Sequence, residues 1–484
     1  MREDSLPILQ LARTGAAQKA WDAFLAAGLQ NINNNPAILN LKGRLLKDRA
    51  RKTQGDAAAR LFLQSAKAYA DSAALKPDSY PLINAATMSF FAGQSDHMAL
   101  LANKVLALLE TGAGRGETAY WHDATKAEAH LLLGNRDKAE TMLGAALRHA
   151  PNAWEDHATT LRQLRSVLRR RRENDSWLAP FAPPKSIYFS GLMGLAPDDQ
   201  LAADAIANGL TDISAGFAFG ALAAGADIMI AEAIRNAGGE LHIVIPTTPS
   251  VFKAQSVAPY GDAWLDRFDS LWAEASSVET IEPGKHMSHA AIMLAAQVAK
   301  GRAIDNAQRL ESTHVPFEVS DGSLSRVDPS TPAVILPRSA TKPAGHHLPC
   351  GSCHFCIATD APLANDAVQW EQFGDYYISR DAQPADASRV MNALLSAAPD
   401  ARIAFDVTIS DDDSPPHGIA DSLNRLVQSA SNGSAVATSS AAMVMKAQAA
   451  DISIEPLGEL PGSVGASGVY AIGPTSDGAN ACGV

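Results

Sequence analysis

The spacing of hydrophobic residues changes once along the chain. From Leu6 to about Leu168, Ala and Leu recur at helical spacing and β-branched runs are few, which predicts helices throughout. From Ser186 onward, short apolar runs such as Ile187–Phe189 and Leu241–Ile245 alternate with helical patterns, which predicts strands joined by helices. We therefore expect an N-terminal helical region followed by regions that contain sheets.

Turn signals recur within the helical region. They fall at Asn35-Pro36, Lys76-Pro77 and Ala150-Pro151, with gaps of 41 and 74 residues, and the second gap is close to two repeats of 37. Antiparallel helix pairs of this period bury their apolar faces only by stacking on one another. Residues 1–172 are therefore predicted to form an α-solenoid.

Three segments of this region resemble the tetratricopeptide-repeat-like (TPR-like) region known as the TRAF-binding domain, over roughly residues 50–168. They are Asp78–Thr87, Ala119–Thr125 and Asn152–Glu155. The resemblance implies a TPR-like scaffold that binds protein partners and has no catalytic role. Tyr80, Trp121 and Trp154 are expected to pack between helices, because aromatic side chains mostly serve packing.

The first strand of the second region breaks at Ser190–Gly194, and the glycine-rich stretch Gly216–Asp227 precedes a helical run. Gly238-Gly239 ends that helix before the strand Leu241–Ile245. This order predicts a βαβ unit, whose turns lie at the edge of a parallel sheet where ligands bind. Glycines there let backbone N–H groups approach a phosphate, and they equally allow a helix to pack closely on a strand.

The run Gly216–Pro246 resembles the SLOG superfamily of Rossmann-like nucleotide-binding domains, and the resemblance extends over residues 186–325. It implies a central α/β domain with a parallel sheet and a pocket for a nucleotide of unknown identity. The residues that it places in the pocket are Ser190, Gly191, Gly216, Gly220, Gly225 and Asp227. Some SLOG relatives cleave the glycosidic bond of a nucleotide or NAD, and Glu232 and Asp227 are the candidate catalytic carboxylates here. Asp227 can also be a first-turn residue that only complements the helix dipole.

The last region, residues 330–474, interleaves strand-like runs with two helical patterns, which predicts an α+β domain. Four of its segments resemble the second part of a class III nucleotide cyclase domain. They are Phe373–Tyr377, Arg402–Asp406, Leu423–Ala430 and Gly458–Gly462. The resemblance places Asp375 at a metal-binding position and Arg425 at the position of a transition-state arginine.

The resemblance to cyclases is incomplete. Two divalent ions on a triphosphate need two carboxylates. The strand expected to supply the first carboxylate, Val334–Arg338, contains no acid, and Asp421 stands where the family has an asparagine. The sequence therefore predicts an inactive, degenerate cyclase-like domain, a pseudoenzyme in which Asp375 and Arg425 are relics. Residual cyclase activity is the alternative.

Three of the four cysteines form a C-x2-C-x2-C pattern within the Cys/His-rich residues 345–356. Thiolates at this spacing can hold a structural zinc ion in tetrahedral geometry. The candidate ligands are Cys350, Cys353 and Cys356, with His346, His347 or Cys482 as the fourth. An iron–sulfur cluster and a loop of three reduced thiols are the alternatives.

The composition is that of a globular protein with several domains. The chain has 484 residues, 46% of them hydrophobic and 19% charged, and a net charge of −12. This charge argues against a nucleic-acid partner, because a phosphate backbone would be repelled. The start Met1–Asp4 lacks a signal-peptide core and no apolar run is long enough for a membrane span, so we expect a cytoplasmic protein with no membrane partner. Residues 173–185 are predicted to be a linker and residues 475–484 a flexible tail.

Three functions follow from these patterns. The first is a protein that resembles bacterial signalling proteins, in which the SLOG-like domain binds a nucleotide and the TPR-like repeats pass that state to a protein partner. The second is an enzyme that cleaves a nucleotide or NAD at the glycosidic bond. The third is a zinc-stapled adaptor with no small ligand. Resemblance to cyclases, which usually pair across their sheets, implies a homodimer.

Overall fold

The computed structural model describes residues 8, 17–112, 118–281, 287–322, 333–336, 348–362, 368–380, 382–410, 419–448, 452–459 and 468–474. The chain forms two compact units, Met1–Pro183 and Pro184–Val484. The boundary falls inside the predicted linker, residues 173–185. Among the described residues, no helix combines the length and the apolar character that a bilayer span requires.

The first unit consists of successive helices, as its hydrophobic spacing predicts. They are α1 (Ala17–Ala26), α2 (Pro36–Arg51), α3 (Gly55–Leu75), α4 (Ser79–Phe91), α5 (Ser95–Glu110), α6 (Ala119–Leu132), α7 (Arg136–His149) and α8 (Trp154–Arg171). Two of the predicted turn signals are helix starts: Asn35 accepts the backbone N–H groups of Ala37 and Ile38, and Asp78 accepts that of Tyr80. Such caps satisfy N–H groups that have no partner within the helix.

Consecutive helices of this unit pack against each other through short connections, which makes neighbours antiparallel. Gly43 of α2 lies against the ring of Tyr69 in α3, where an added Cβ would be 2.8 Å from the ring. Part of the predicted linker belongs to this unit's core, because the 3₁₀ helix Ser176–Phe181 buries Trp177 and Leu178 there. The linker is therefore shorter than the sequence indicates.

The second unit begins with a parallel sheet of six strands in the order β4-β3-β2-β1-β5-β6. The strands are β1 (Lys185–Gly191), β2 (Ala215–Gly220), β3 (Glu240–Ile245), β4 (Ser277–Thr280), β5 (His314–Ser320) and β6 (Ala333–Ile335). The helices between them are α9 (Gln200–Asp212), α10 (Ala226–Asn236), α11 (Pro249–Ser256), α12 (Asp262–Glu274) and α13 (His289–Arg309). This is the Rossmann-like arrangement that the βαβ pattern predicts.

Helix α13 covers one face of this sheet, and α9 and α10 lie on the other. The connections from β1 through β4 step along the sheet in one direction, whereas α13 connects β4 back past β1 to β5. Because such crossovers are right-handed, α13 lies on the face opposite to α9 and α10. Asn306 of α13 donates a hydrogen bond to the hydroxyl of Ser186 at 3.0 Å. Ser186, Tyr188 and Ser190 alternate along β1 and therefore face α13.

The strand β6 corrects one prediction. Residues of Val334–Arg338 were expected to begin the cyclase-like region, but β6 pairs with β5 at the edge of the parallel sheet. The side chain of Val334 covers Gly209 of α9, where an added Cβ would be 3.2 Å away. Because this contact buries Val334 against the first sheet, β6 cannot open the second one. Pro337 and Arg338 lie outside the described residues.

The second sheet of this unit is mixed, with seven strands in the order β12-β13-β11-β10-β7-β9-β8. The strands are β7 (Ser352–Thr359), β8 (Glu371–Phe373), β9 (Tyr376–Ser379), β10 (Arg402–Ser410), β11 (Ser434–Thr438), β12 (Ile452–Glu459) and β13 (Gly468–Pro474). The helices are α14 (Ala387–Ala397), α15 (Ile419–Ser429) and α16 (Ser439–Gln448). Strands interleaved with helices confirm an α+β arrangement, and only β10 and β11 pair in parallel.

The helices α13 and α16 join the two sheets of the second unit. The guanidinium of Arg302 in α13 makes two hydrogen bonds to Glu279 of β4, at 2.9 and 3.1 Å. It also donates to the Tyr470 hydroxyl of β13 at 2.9 Å and to the Ser439 hydroxyl of α16 at 2.5 Å. One half-buried cation therefore links elements of both sheets.

Candidate functional site

The parallel sheet has a topological switch point at β1. The chain passes from β1 to β2 on one side, and β5 returns on the other side of β1. Helices that leave the two neighbouring strands in opposite directions open a crevice at their carboxyl ends, where ligands of such sheets bind. In this protein that edge carries Ser190 and Gly191 at the end of β1 and Ser320 at the end of β5.

Four of the glycines that the sequence singles out are divided between the two ends of the sheet. Gly191, Gly220 and Gly225 lie at the carboxyl edge, whereas Gly216 lies near the start of β2 against Pro184. An added Cβ at Gly191 would be 2.5 Å from the Cβ of Ala226. Gly191 therefore lets β1 approach the start of α10, as the packing interpretation expects.

Gly220 and Gly225 also make close approaches. An added Cβ at Gly220 would be 2.8 Å from the ring of Phe189. Gly225 has a φ of 114° and caps α10, and the next residue, Ala226, donates its N–H to the Leu192 carbonyl at 2.9 Å. A side chain at Gly225 would overlap that same carbonyl. These contacts fasten the loop after β1 onto the N-terminus of α10.

Asp227 is the buried charged group of this edge, with 8% of its surface exposed. Its Oδ2 accepts the backbone N–H of Ala223 at 3.3 Å, whereas its Oδ1 is buried and has no hydrogen-bond partner among the described residues. Burial raises the pKa of Asp227 to about 7, and the N–H groups of Ala223 and Gly191 oppose that shift. An unpaired buried carboxylate oxygen is costly, which makes Asp227 a candidate for contact with a ligand.

Two further polar side chains lie beside Asp227. Ser190 pairs in register with Glu318 of β5, so both project from the α13 face of the sheet. Burial raises the pKa of the Tyr188 phenol to about 12, and the charges of Asp227 and Glu318 add to this shift while a hydrogen bond with Ser190 opposes it. Tyr188 is therefore close to both carboxylates.

Glu232, the second candidate catalytic carboxylate, is bound elsewhere. Its Oε1 accepts from Nε of Arg267 at 2.7 Å, and its Oε2 accepts from a terminal nitrogen of the same guanidinium. Arg267 also donates to the Pro197 carbonyl at 2.8 Å and stacks over the ring of Trp264. This bidentate pair joins α10 to α12, which gives Glu232 a structural role.

The predicted metal ligands are not brought together in the described part of the chain. Cys353 and Cys356 are three residues apart in β7, so their side chains point to opposite faces of the sheet. Cys350 and Cys353 are exposed, whereas Cys356 is buried among residues of α15. The described residues contain no group of three His, Cys, Asp or Glu side chains that could hold a metal. In this conformation Cys353 and Cys356 do not fit one zinc ion. His346, His347 and Cys482 lie outside the described residues.

The two residues that the resemblance to cyclases singles out, Asp375 and Arg425, are both exposed. Asp375 is in the turn between β8 and β9, and Arg425 is on α15. Strand β7 lies next to β9 and runs antiparallel to it, and Thr359 of β7 pairs with Tyr377 of β9. Asp360 directly follows β7, and Asp375 directly precedes β9. The structure therefore places a second carboxylate, Asp360, at the same end of the sheet as Asp375.

Asp360 is held by Arg402 rather than left free. Its Oδ1 accepts the backbone N–H of Arg402 at 2.9 Å and its Oδ2 accepts from Nε of the same residue at 2.7 Å. Both oxygens thus already have a donor. The sequence interpretation missed Asp360 because it assigned the first strand to Val334–Arg338. An acid two residues after the apolar run Phe355–Ala358 is the signal that could have found it.

Tyr188 and Glu318 were also missed as candidate site residues. Neither follows a glycine-rich turn, and Glu318 comes from β5, about 130 residues after β1 in the chain. The strand order decides that β5 lies next to β1, and no local pattern reveals that neighbour. The alternation Phe317–Glu318–Val319, with one acid between two buried residues, is the available signal.

The N-terminal helices match a known family. A family model described as Tetratricopeptide Repeats-Sensor (TPR-S) matches residues 5–89. This match confirms TPR-type sensor repeats at the N-terminus of the chain. No curated protein matches the chain. The resemblances to the TRAF-binding domain, the SLOG superfamily and class III cyclases stay predictions.

One solved structure similar to this chain is a mutant of the O-GlcNAc transferase of Thermobaculum terrenum. The two chains are 14% identical, and the match covers 62% of this chain and 58% of that chain with a TM-score of 0.20. This chain therefore spans less than two thirds of that protein's length. A similarity at this TM-score supports no conclusion about fold or function.

Proposed function

We propose that this protein is a cytoplasmic signalling protein that binds a nucleotide-type ligand at the switch point of its parallel sheet. TPR-type repeats commonly present surfaces for other proteins, so the N-terminal helices are proposed to bind a protein partner that responds to the ligand. The observation that supports the ligand site best is the buried Asp227, whose Oδ1 has no partner in the described part of the chain. Ligand binding would supply the missing hydrogen bond.

The position of Asp227 supports this proposal further. It lies in the first turn of α10, at the carboxyl edge of the sheet, beside the crevice between β1 and β5. Sheets of this topology bind their ligands in that crevice. Gly191 and Gly225 fasten the surrounding loops closely, so the site rests on rigid elements.

The second sheet is proposed to be catalytically inactive as a cyclase. Asp360 and Asp375 share one end of the sheet, which favours a divalent ion there and keeps residual cyclase activity as the second candidate function. Against it, both oxygens of Asp360 are engaged by Arg402. An ion would have to displace this cation before it could bind a triphosphate.

The glycosidase alternative depends on a free carboxylate at the ribose. Glu232 is engaged by Arg267, which leaves Asp227 as the candidate. A pKa of about 7 would suit a general acid or base near neutral pH. Product formation separates this alternative from simple binding.

A thermal-shift panel of nucleosides and nucleotides, with product analysis by chromatography, tests the proposal. We expect at least one compound to stabilise the wild type and not Asp227→Asn, because a ligand that binds only the folded state raises its melting temperature. The matched control is Asp266→Asn on the exposed surface of α12, which should respond like the wild type. Turnover lost in Asp227→Asn would favour the glycosidase, and no shift with any compound would contradict the proposal.

Cyclase activity is tested separately with MgATP and MgGTP. We expect no cyclic product from the wild type. Cyclic product that disappears in Asp375→Ala would show that the second sheet is an active cyclase. Arg402→Ala removes the guanidinium from Oδ2 of Asp360 and keeps the backbone N–H on Oδ1, so it tests whether the ion pair itself blocks metal binding.

A further inference from the structure

We propose that the switch-point site selects a nucleoside-type ligand through its hydroxyl and amino hydrogen-bond donors, and that it rejects a polyphosphate, because Asp227 and Glu318 flank Ser190. This inference rests on the proposed function and narrows the class of ligand.

Glu318 is available for a ligand. It is half-buried on β5, in register with Ser190 of β1, at the point where the strand order reverses. Its carboxylate makes no hydrogen bond or ion pair within the described ranges of the chain. When it is ionised, a carboxylate has no proton to donate and can act only as a hydrogen-bond acceptor.

Asp227 is a second, independently placed acceptor. It comes from α10 rather than from the sheet, it is more than nine-tenths buried, and its Oδ1 has no partner among the residues that the structure describes. The phenol of Tyr188 is close to both acids, because the pKa of that phenol is raised by burial and then by the charges of Asp227 and Glu318. Ala226, next to Asp227, lies against Gly191, next to Ser190, and Ser190 pairs in register with Glu318, so both carboxylates lie near the end of β1.

Two positive side chains near this edge, both within the described part of the chain, already have partners. Arg267 is paired with Glu232, and Lys253 is paired with Asp269 at 2.6 and 2.7 Å. A polyphosphate would need cations or free N–H groups to balance its charge. These two cations are not available without breaking an existing ion pair.

Backbone donors at two of the helix N-termini of this edge are also engaged. In α13, the N–H groups of His289 and Ala290 donate to the carbonyls of Pro349 and Cys350, and that of Ala291 donates to the Ser288 hydroxyl. In α10, the N–H of Ala226 is taken by a carbonyl, and above its pKa of about 7 the carboxylate of the next residue brings negative charge to the first turn. A phosphate would therefore meet repulsion instead of the usual helix-dipole attraction.

A nucleoside matches these groups better. The ribose diol and an exocyclic amine of the base supply donors for carboxylate oxygens, and such charge-assisted hydrogen bonds are the stronger kind. Each added phosphate brings negative charge near two carboxylates and should weaken binding. The expected order of affinity is nucleoside, then monophosphate, then triphosphate.

The experiment is calorimetric titration of the full chain with adenosine and guanosine, and with their 5′-mono- and triphosphates, in EDTA to remove divalent ions. We expect at least one nucleoside to bind about tenfold more tightly than its triphosphate. In Glu318→Gln the ratio of the nucleoside affinity to the triphosphate affinity should fall to about threefold or less, since one repelling charge is gone. Asp227→Asn should lose nucleoside binding, as in the thermal-shift panel, and the exposed Asp266→Asn should leave the ratio of the two affinities unchanged.

Two results would overturn the inference in different ways. If the triphosphate of a series binds most tightly and Glu318→Gln does not change the order, the ligand class is wrong while the proposed function stands. If neither series binds at all, both the proposed function and this inference fail. If a variant does not fold, the ratio of nucleoside to triphosphate affinity in the wild type decides the ligand class by itself.

Discussion

Gly301 of α13 lies directly against the main chain of Met443 in α16. A Cβ atom added at Gly301 would be 2.7 Å from the carbonyl carbon of Met443 and would overlap its oxygen. Side chains cannot move aside here, because the contact is with backbone. The two sheets of the second unit are therefore joined by helices whose main chains touch, and a shift of α13 at the ligand edge would have to move α16.

Gly301→Ala should destabilise the second unit by about 3 kcal/mol, since overpacking against backbone forces the helices apart. Urea unfolding measures this change. The matched control is Gly144→Ala in α7, where the nearest side-chain atoms are 3.5 Å or more from an added Cβ. That control should be neutral or gain up to about 1 kcal/mol from helix propensity. Equal effects of the two substitutions would contradict the close contact.

Arg302→Met should destabilise the second unit by roughly 2 kcal/mol, because it leaves the half-buried Glu279 without its bidentate partner and removes the donor to Tyr470 and Ser439. The double variant Arg302→Met/Glu279→Met should recover part of this loss, and a double-mutant cycle in urea measures the coupling. Lys253→Met, which breaks the exposed pair with Asp269, should cost less than about 1 kcal/mol. Additive effects of the two substitutions in the Arg302 cycle would exclude a coupled pair.

Asp227 should make the second unit less stable as the pH rises. Its pKa is about 7 in the folded chain and 3.8 in the reference state, so the folded state holds a proton that the unfolded state releases. The stability contribution is complete below about pH 4 and is lost as the pH rises to about 7, for a total of roughly 4 kcal/mol. The difference in unfolding free energy between wild type and Asp227→Asn, measured from pH 4 to 8, should show this slope. A difference that does not depend on pH would mean that Asp227 is ionised throughout.

Lys47 should have the opposite dependence in the first unit. It donates to Asn84 at 3.2 Å, and burial, followed by the charge of Arg51, lowers its pKa from 10.5 to about 8. Because the unfolded state binds the proton more readily, the contribution of Lys47 to stability is complete above about pH 10.5 and is lost as the pH falls to about 8, for a total of about 3 kcal/mol. Comparison of the wild type with Lys47→Met across this range measures the slope. The control is Lys67→Met, which removes an exposed lysine of α3.

The regular elements of the fold follow from local signals. The apolar spacing predicts the helices of the first unit, Asn35 and Asp78 start two of them, and Ser288 caps the long helix α13. The βαβ pattern predicts the parallel sheet. Local signals do not determine which strands are neighbours in a sheet, because pairing between distant segments depends on the burial of both faces of the sheet.

The errors have the same origin. A three-residue apolar strand such as β6 fits either sheet, so its sequence does not decide its partner. The cysteine pattern suggests a loop, whereas Cys353 and Cys356 belong to strand β7. In the structure Phe355 and Ile357 of β7 are buried core residues. Asp227 was found because it follows a local glycine signal. Glu318 and Asp360 were missed because their partners are distant in sequence.

Hydrogen–deuterium exchange with and without saturating nucleoside tests the central claim most directly. We predict that added ligand slows exchange in the loop Ser190–Gly194 and in Ala221–Asp227, at the carboxyl edge of the parallel sheet, and that Asp227→Asn loses this protection. The opposite edge, at Lys185 and Gly216, should not change. Binding without protection of these two segments, or protection confined to the second sheet, would contradict a ligand site at the switch point.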